Sequence, residues 1–212
     1  MRDDPVELKS EMLKSRCLYS NENVIILPMV SYNRLYDVAA ENYGLVTPRV
    51  AESLGVSNMA LVMLAKRGRL VRIGRGVYRL DQFPVSEYDP YANVVARAGE
   101  GAFLWGPSVL AIDHLCPTDT RMLYVAVPGR TRRNLGPGVV IKNGESATVP
   151  VLSHGIASQS IPDAIRSSRG IVMGERLVDA VGRARDAGLI LKDECRTLLK
   201  ELKDAGKASH RS

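Results

Sequence analysis

The chain has 212 residues, 45% of them hydrophobic, and a formal net charge of +6, which is enough apolar material for one large domain or two smaller ones. No apolar run approaches the roughly 20 residues that a membrane-spanning helix needs, and the N-terminus lacks a signal-peptide pattern, so we expect no membrane partner. The three cysteines, Cys17, Cys116 and Cys195, are far apart and odd in number, which argues against a disulfide framework or a zinc site and predicts a cytoplasmic protein.

The excess of positive charge lies in one short segment. Residues 45–80 hold seven basic residues and one acidic residue, Glu52, so the charge of this segment equals that of the whole chain. A solvated surface normally mixes charges of both signs, whereas a patch of one sign in a small module more often meets a polyanion. The basic residues are Arg49, Lys66, Arg67, Arg69, Arg72, Arg75 and Arg79.

The first pattern along the chain is that of two helices. Apolar residues recur at helical spacing over 31–44, where Gly44 is a suitable stop. Thr47 and Pro48 then predict the N-cap and the first residue of a second helix. A tight turn that contains glycine follows this helix.

A third helix is expected over about 58–67, capped by Ser57 and ended by Gly68. Two short helices joined by a glycine-containing turn are a helix-turn-helix. Alternating apolar and basic residues over 70–73 and 77–80, joined by a Gly-Arg-Gly turn, predict a β-hairpin. Three helices followed by a basic hairpin indicate a winged helix-turn-helix.

The third helix is expected to contact DNA with one of its faces. The buried face would hold Leu61, Leu64 and Ala65. The opposite face would bring methionines to thymine methyl groups and basic side chains to phosphates or guanine edges. Alternatively, the methionines pack on a second domain or on a partner protein. The predicted DNA-binding residues are Arg49, Ser57, Asn58, Met59, Met63, Lys66, Arg67, Arg69, Arg72, Arg75 and Arg79.

Beyond the hairpin we expect a linker over 83–92, a stretch that contains two prolines. It would separate a winged-helix domain over 31–82 from a second domain over 93–205. The second domain has strand patterns first and helical patterns at its end. This predicts a mixed α/β unit and, for the whole chain, the α+β fold class.

The second domain is expected to begin with a helix over 91–98, followed by a strand that turns at Gly106 and Pro107 into a short helix. Further strands are expected at 122–129, 138–142 and 149–153. The last 40 residues are expected to be helical, with an apolar stripe formed by Leu177, Val178, Val181 and Ala184.

No pattern predicts catalysis, a metal site or a cofactor, and we expect none. Ser108 follows Gly106 by two residues, but Leu110 occupies the position where a hydrolase elbow needs a second glycine. Ser108 is therefore interpreted as a polar residue near a helix start. His114 and His154 have no carboxylate or cysteine partner at the spacing of metal ligands.

A second group of basic residues lies on a loop between two expected strands of the second domain. These residues are Arg130, Arg132 and Arg133. They form either a solvated loop tip, an extension of a phosphate-binding surface or a site for an anionic partner.

Residues 54–80, with the pattern LGVS…L…L.KRG.L.RI.RGVY.L, and the stretch WGPSVLAIDHL at 105–115 resemble the AbiEi family of abortive-infection antitoxins. In the second stretch Val109 stands where alanine is usual in the family. The resemblance covers about residues 31–200 and is weakest near 153–170. It leaves out residues 1–30, an expected N-terminal extension. Residues 1–28 are either a true extension or the result of a misassigned start, since Met29 would be a natural first residue.

The resemblance implies a winged helix-turn-helix joined to a C-terminal antitoxin domain. It also implies that the protein represses its own promoter by binding inverted repeats in operator DNA. The partner gene would encode an AbiEii-like nucleotidyltransferase toxin, which the antitoxin can oppose without forming a stable complex.

The residues alone leave other interpretations open. The winged helix could serve a regulator without an antitoxin role, or it could dock on a protein through its methionines. An enzyme in the second domain, such as a nuclease, is a third interpretation, although the arrangement of carboxylates and lysine that a nuclease needs is missing.

Overall fold

The N-terminal part of the described residues consists of three helices and a small antiparallel sheet. The computed structural model describes residues 29–117, 121–145 and 147–209. Residues 1–28, which include Cys17 and most of the expected extension, lie outside the described residues. The elements are α1 (Met29–Ala40), β1 (Leu45–Val46), α2 (Pro48–Ser53), α3 (Asn58–Lys66), β2 (Leu70–Gly74) and β3 (Val77–Leu80). They form a winged helix-turn-helix, as the sequence pattern predicts.

The local signals that predict these helices are confirmed. The Thr47 hydroxyl accepts a hydrogen bond from the backbone N–H of Val50 (3.4 Å). The Ser57 hydroxyl accepts one from the N–H of Ala60 (3.2 Å). Both hydroxyls therefore satisfy donors that have no partner inside the helix. Gly68 follows α3 with a φ of +70°, the left-handed conformation that commonly ends a helix.

The small sheet has the strand order β1-β3-β2 and is covered on both faces. Val46 and Tyr78 are buried among α1, α2 and α3, whereas Leu45 and Val77 belong to the apolar core of the C-terminal part of the chain. Successive side chains of a strand point to opposite faces, so neighbouring residues enter different cores. β1 is not predicted by the sequence, because an alternating pattern cannot show in two residues.

The C-terminal part of the chain contains a mixed sheet. Some of its helices pack on this sheet, and among the described residues three more helices follow the last strand in sequence. Its elements are α4 (Asp89–Ala98), β4 (Phe103–Leu104), α5 (Pro107–Ile112), β5 (Leu123–Val127), β6 (Val139–Asn143), β7 (Val151–Ser153), β8 (Ile156–Ser158), α6 (Ile161–Ser167), α7 (Gly174–Asp186) and α8 (Lys192–Ser209). The strand order is β6-β5-β4-β8-β7, in which β5–β6 and β4–β8 are parallel and the other pairs antiparallel. Helices α4 and α5 contact β5, and the fold class α+β is confirmed.

Several sequence-based boundaries are corrected by the structure. The helix expected from residue 91 begins at Asp89, inside the predicted linker. The short strand β8 was not predicted. Val178 is exposed, and Ala180 is buried in its place beside Leu177. At about 100° per residue, residues three and four positions apart share a helix face, so Val178 turns away from the stripe that begins at Leu177.

The two parts of the chain are in direct contact through the shared core around Leu45 and Val77. That residues 31–82 and 93–205 act as separate domains stays a prediction. Among the described residues, no helix has the length and apolar character needed to cross a bilayer.

The turn between α1 and β1 provides a stability prediction. Gly44 and Gly55 both have a φ of +73°, but a Cβ on Gly44 would lie 2.7 Å from the Phe83 ring, whereas one on Gly55 would meet nothing within 4 Å. We expect Gly55→Ala to lower the free energy of unfolding by about 1–2 kcal/mol through backbone strain alone. Gly44→Ala should cost about 1–3 kcal/mol more, because the ring must move. Urea denaturation of both variants checks this, and equal losses would contradict it.

Candidate nucleic-acid interface

The outer face of α3 carries the residues that the sequence predicts for base contact. Asn58 and Met59 are exposed at its start, and 59% of the Met59 surface is accessible. Met63 is half-buried one turn further on. Ala60, Leu61 and Leu64 are buried on the opposite face, whereas Ala65, predicted to be buried, is half-buried. The exposed Ser57 uses its hydroxyl oxygen as the helix cap, which leaves its O–H hydrogen available to a phosphate.

The hairpin formed by β2 and β3 is the wing of the winged helix. Five basic residues form an exposed series from the end of α3 through this wing. They are Lys66, Arg67, Arg69, Arg72 and Arg75. Within the described part of the chain none of them forms an ion pair; Arg72 donates from Nε to the backbone oxygen of Gly74 (3.3 Å). We call this series the wing cluster.

A bulge between Arg72 and Gly74 shapes the wing. Val71 is 46% exposed, whereas Ile73 packs against the C-terminal core. The base of the wing therefore rests on the C-terminal part of the chain, while its turn with Arg75 is exposed.

Arg79 is one of the predicted DNA-binding residues, but its side chain is held within the protein. Its Nη2 donates to Oδ2 of Asp89 (2.7 Å) and to the backbone oxygen of Pro84 (3.0 Å), and its guanidinium lies over the Phe83 ring. The Arg79 and Asp89 side chains are only 15% and 10% exposed. Alternation along β3 places Arg79 on the same face as Val77. Its side chain therefore points into the junction, by which we mean the contact between the winged helix and the C-terminal part of the chain, rather than towards solvent.

Arg49 is exposed like the wing cluster, but it is paired with an acidic residue as Arg79 is. Its guanidinium forms an ion pair with Glu100, and the side chains are 74% and 75% exposed. Exposed pairs of this kind contribute little to stability, so a phosphate could replace Glu100 at small cost.

The second basic group lies beside the wing, which sequence reasoning could not show. Arg133 donates from Nη1 to the backbone oxygen of Arg97 (2.9 Å), and Arg97 donates from Nη2 to that of Leu135 (2.8 Å). The stem of Arg97 also packs against the wing, since a Cβ on Gly74 would lie 3.0 Å from its Cγ. Arg130, Arg132 and Arg133 are all exposed; we call the segment 129–133 the basic loop.

A polar group at the junction was missed by sequence reasoning. His154 stacks on Tyr88 with ring centroids 4.4 Å apart, and its Nε2 lies 3.2 Å from Oδ1 of Asp113. The Tyr43 hydroxyl donates to the backbone oxygen of His154. Burial, then the interactions with Tyr88 and Asp89, raise the pKa of Tyr43, which keeps this hydroxyl a donor. The contacts join residues that are 41, 66 and 111 positions apart, so no local pattern signals them.

Ser108 has a structural role near the start of a helix. Ser108 is buried at the start of α5, and its Oγ accepts a hydrogen bond from the N–H of Tyr124 (2.7 Å). Burial raises the pKa of the Cys116 thiol, although Arg176 and Arg183 oppose the shift. Exposed His114 lies 3.8 Å from Glu87. Among the described residues, no three His, Cys, Asp or Glu side chains are placed to hold a metal ion.

Residues 33–80 match the model of a family described as "Transcriptional regulator, AbiEi antitoxin". The match covers the winged helix-turn-helix and confirms the resemblance to AbiEi antitoxins for this segment. It supports a regulator or antitoxin role.

A similar solved structure is the crystal structure of the RV2827C protein from Mycobacterium tuberculosis, with 16% identity over 82% of each chain and a TM-score of 0.37. No curated protein sequence matches the chain.

The different roles of Arg79 and Arg75 can be separated by stability. Arg79→Ala leaves the Asp89 carboxylate nearly buried without its partner, which should lower the free energy of unfolding by about 3–5 kcal/mol. Arg75→Ala removes the same charge from an exposed turn and should change it by less than about 0.5 kcal/mol. Chemical denaturation of the two variants checks this. Equal stabilities would contradict the structural role of Arg79.

Proposed function

We propose that the chain is a transcriptional autorepressor and antitoxin that binds operator DNA through its winged helix-turn-helix. The observation that carries this proposal is the wing cluster, because its five exposed cations have no acidic partner among the described residues and lie next to an exposed helix face. Such a surface is suited to the phosphates that flank a major groove.

The two parts of the surface have different roles in the proposal. Helix α3 enters the major groove, where Asn58 donates to or accepts from base edges and Met59 meets thymine methyl groups. The wing cluster binds phosphates, which fixes the register of the helix but reads no sequence. Operator DNA with inverted repeats would take one copy of the chain on each half-site.

The salt dependence of binding tests the role of the wing cluster. If three to five of its residues contact phosphates, log K should fall with log salt with a slope of about −3 to −4.5. Arg75→Ala should weaken binding to operator and random DNA alike and make the slope shallower by about one unit. Fluorescence anisotropy at several salt concentrations, with DNA from upstream of the protein's own gene, measures both quantities.

Arg196→Ala is the matched control for this experiment. Arg196 is a 79% exposed arginine on α8, paired with Asp193, so its loss changes the net charge equally without touching the winged helix. Its slope should equal that of the wild-type protein. If Arg75→Ala and Arg196→Ala had the same effect, the wing cluster would not be the phosphate-binding surface.

Sequence preference tests the role of α3. Met59→Ala should weaken operator binding by about 1–3 kcal/mol for a lost base contact and leave random DNA nearly unchanged. Met173→Ala is the control, because Met173 is 69% exposed and lies before α7, in the C-terminal part. Unchanged operator binding by Met59→Ala, together with a lost association with another protein, would favour docking of this face on a protein.

The antitoxin role is tested in cells with the product of the neighbouring gene. We propose that this partner is a nucleotidyltransferase-like toxin, and that both proteins act in the cytoplasm. Expressed alone, the partner should stop growth, and co-expression of this chain should restore it. An Arg75→Ala chain expressed from an unrelated promoter separates the two roles, since it should lose repression and still restore growth.

A further inference from the structure

Helix α4 connects the wing to the basic loop. At its N-terminal end, Asp89 pairs with Arg79 of β3. At its C-terminal end, Arg97 donates to Leu135 beyond the basic loop and packs on Gly74 of the wing. The same ten-residue helix therefore holds both basic surfaces.

This helix is a stiff connection. Ten residues span about 15 Å at 1.5 Å per residue, and Ala92, Val94 and Ala98 bury one face of it in the C-terminal core. The two ends of a packed helix keep a fixed position relative to each other, because they cannot move independently. The position of the basic loop relative to the Arg79–Asp89 pair is consequently set by α4, and Arg97 fixes the loop relative to Gly74 of the wing.

The contacts at the two ends are directional. Apolar packing around Leu45 and Val77 would permit small rotations of the winged helix, since the hydrophobic effect has no preferred direction. The Arg79–Asp89 pair restricts them through a charged hydrogen bond. At the other end Arg133 is tied to Arg97, which leaves Arg130 and Arg132 of the basic loop without a hydrogen bond to another described residue from their side chains.

We propose that α4 holds the wing cluster and the basic loop as one phosphate-binding surface, with Arg79, Asp89 and Arg97 as positioning residues. The proposal rests on DNA binding by the winged helix. Arg130 and Arg132 extend the contact along the DNA backbone beyond the wing, and they reach it only while α4 keeps its present attachment.

The sign of one substitution distinguishes positioning from charge. Asp89→Asn removes a negative charge and releases Arg79, so electrostatics alone would strengthen DNA binding. Positioning has the opposite consequence: the basic loop loses its place, binding weakens and the salt slope becomes shallower by about one to two units. Asp193→Asn is the control, because it removes an equal charge from an exposed pair on α8 and should not weaken binding.

The decisive measurement is a double-mutant cycle on the full chain with the same upstream DNA. Arg132→Ala should make the salt slope shallower by about one unit in the wild-type background and have less than half of this effect in the Asp89→Asn background. Circular dichroism and thermal melting confirm that each variant is folded. If Asp89→Asn does not fold, Arg97→Met at the other end of α4 takes its place with the same expectation.

The outcomes separate this proposal from the proposed function. Equal effects of Arg132→Ala in both backgrounds, or stronger DNA binding by Asp89→Asn, would overturn the positioning role. The absence of any effect of Arg132→Ala in the wild-type background would do the same. If Arg75→Ala also left the slope unchanged, the proposed DNA-binding surface itself would be wrong, whereas an effect of Arg75→Ala alone would leave DNA binding by the winged helix in place.

Discussion

Side chains along β3 alternate between two apolar environments, and the position of the winged helix depends on this alternation. Tyr78 enters the core beneath the three helices, while Val77 and Arg79 face the C-terminal part of the chain. A shift of one residue in the pairing of β3 would exchange these faces and place a guanidinium in the helical core. The register against β1, in which Leu45 opposes Arg79, thus places the ion pair with Asp89 at the junction.

The basic residues of this segment serve two purposes that net charge does not distinguish. Arg79 is desolvated and held by a carboxylate, so its charge is neutralised within the protein. The wing cluster has no such partner among the described residues, and its field extends into solvent over a distance of about 8 Å at physiological salt. Arg49 lies between these cases, because its exposed pair with Glu100 can be exchanged. Burial and partners, rather than residue type, determine which arginines are available to a polyanion.

The sequence predicts the features that depend on neighbouring residues. Thr47, Ser57 and Gly68 mark helix ends because each acts on backbone groups within a few positions. Features that depend on distant contacts were not predicted. The partner of Arg79 lies ten positions away across a turn, and the two-residue strand β1 exists only because β3 is there to pair with it. For the same reason, the place of the basic loop beside the wing follows from Arg97, whose spacing from Leu135 carries no recognisable pattern.

Because α4 connects the Arg79–Asp89 pair to the basic loop, the length of this helix determines where the loop lies. Each residue of an α-helix adds about 1.5 Å and about 100° of rotation. One inserted residue would displace the basic loop only slightly, but it would turn the loop about the helix axis by more than a quarter of a circle. A loop on the protein surface tolerates such changes in length, whereas a helix packed along its side does not. Natural variation in the length of this chain is therefore expected before Asp89 or after Arg133, and not between Asp89 and Arg97.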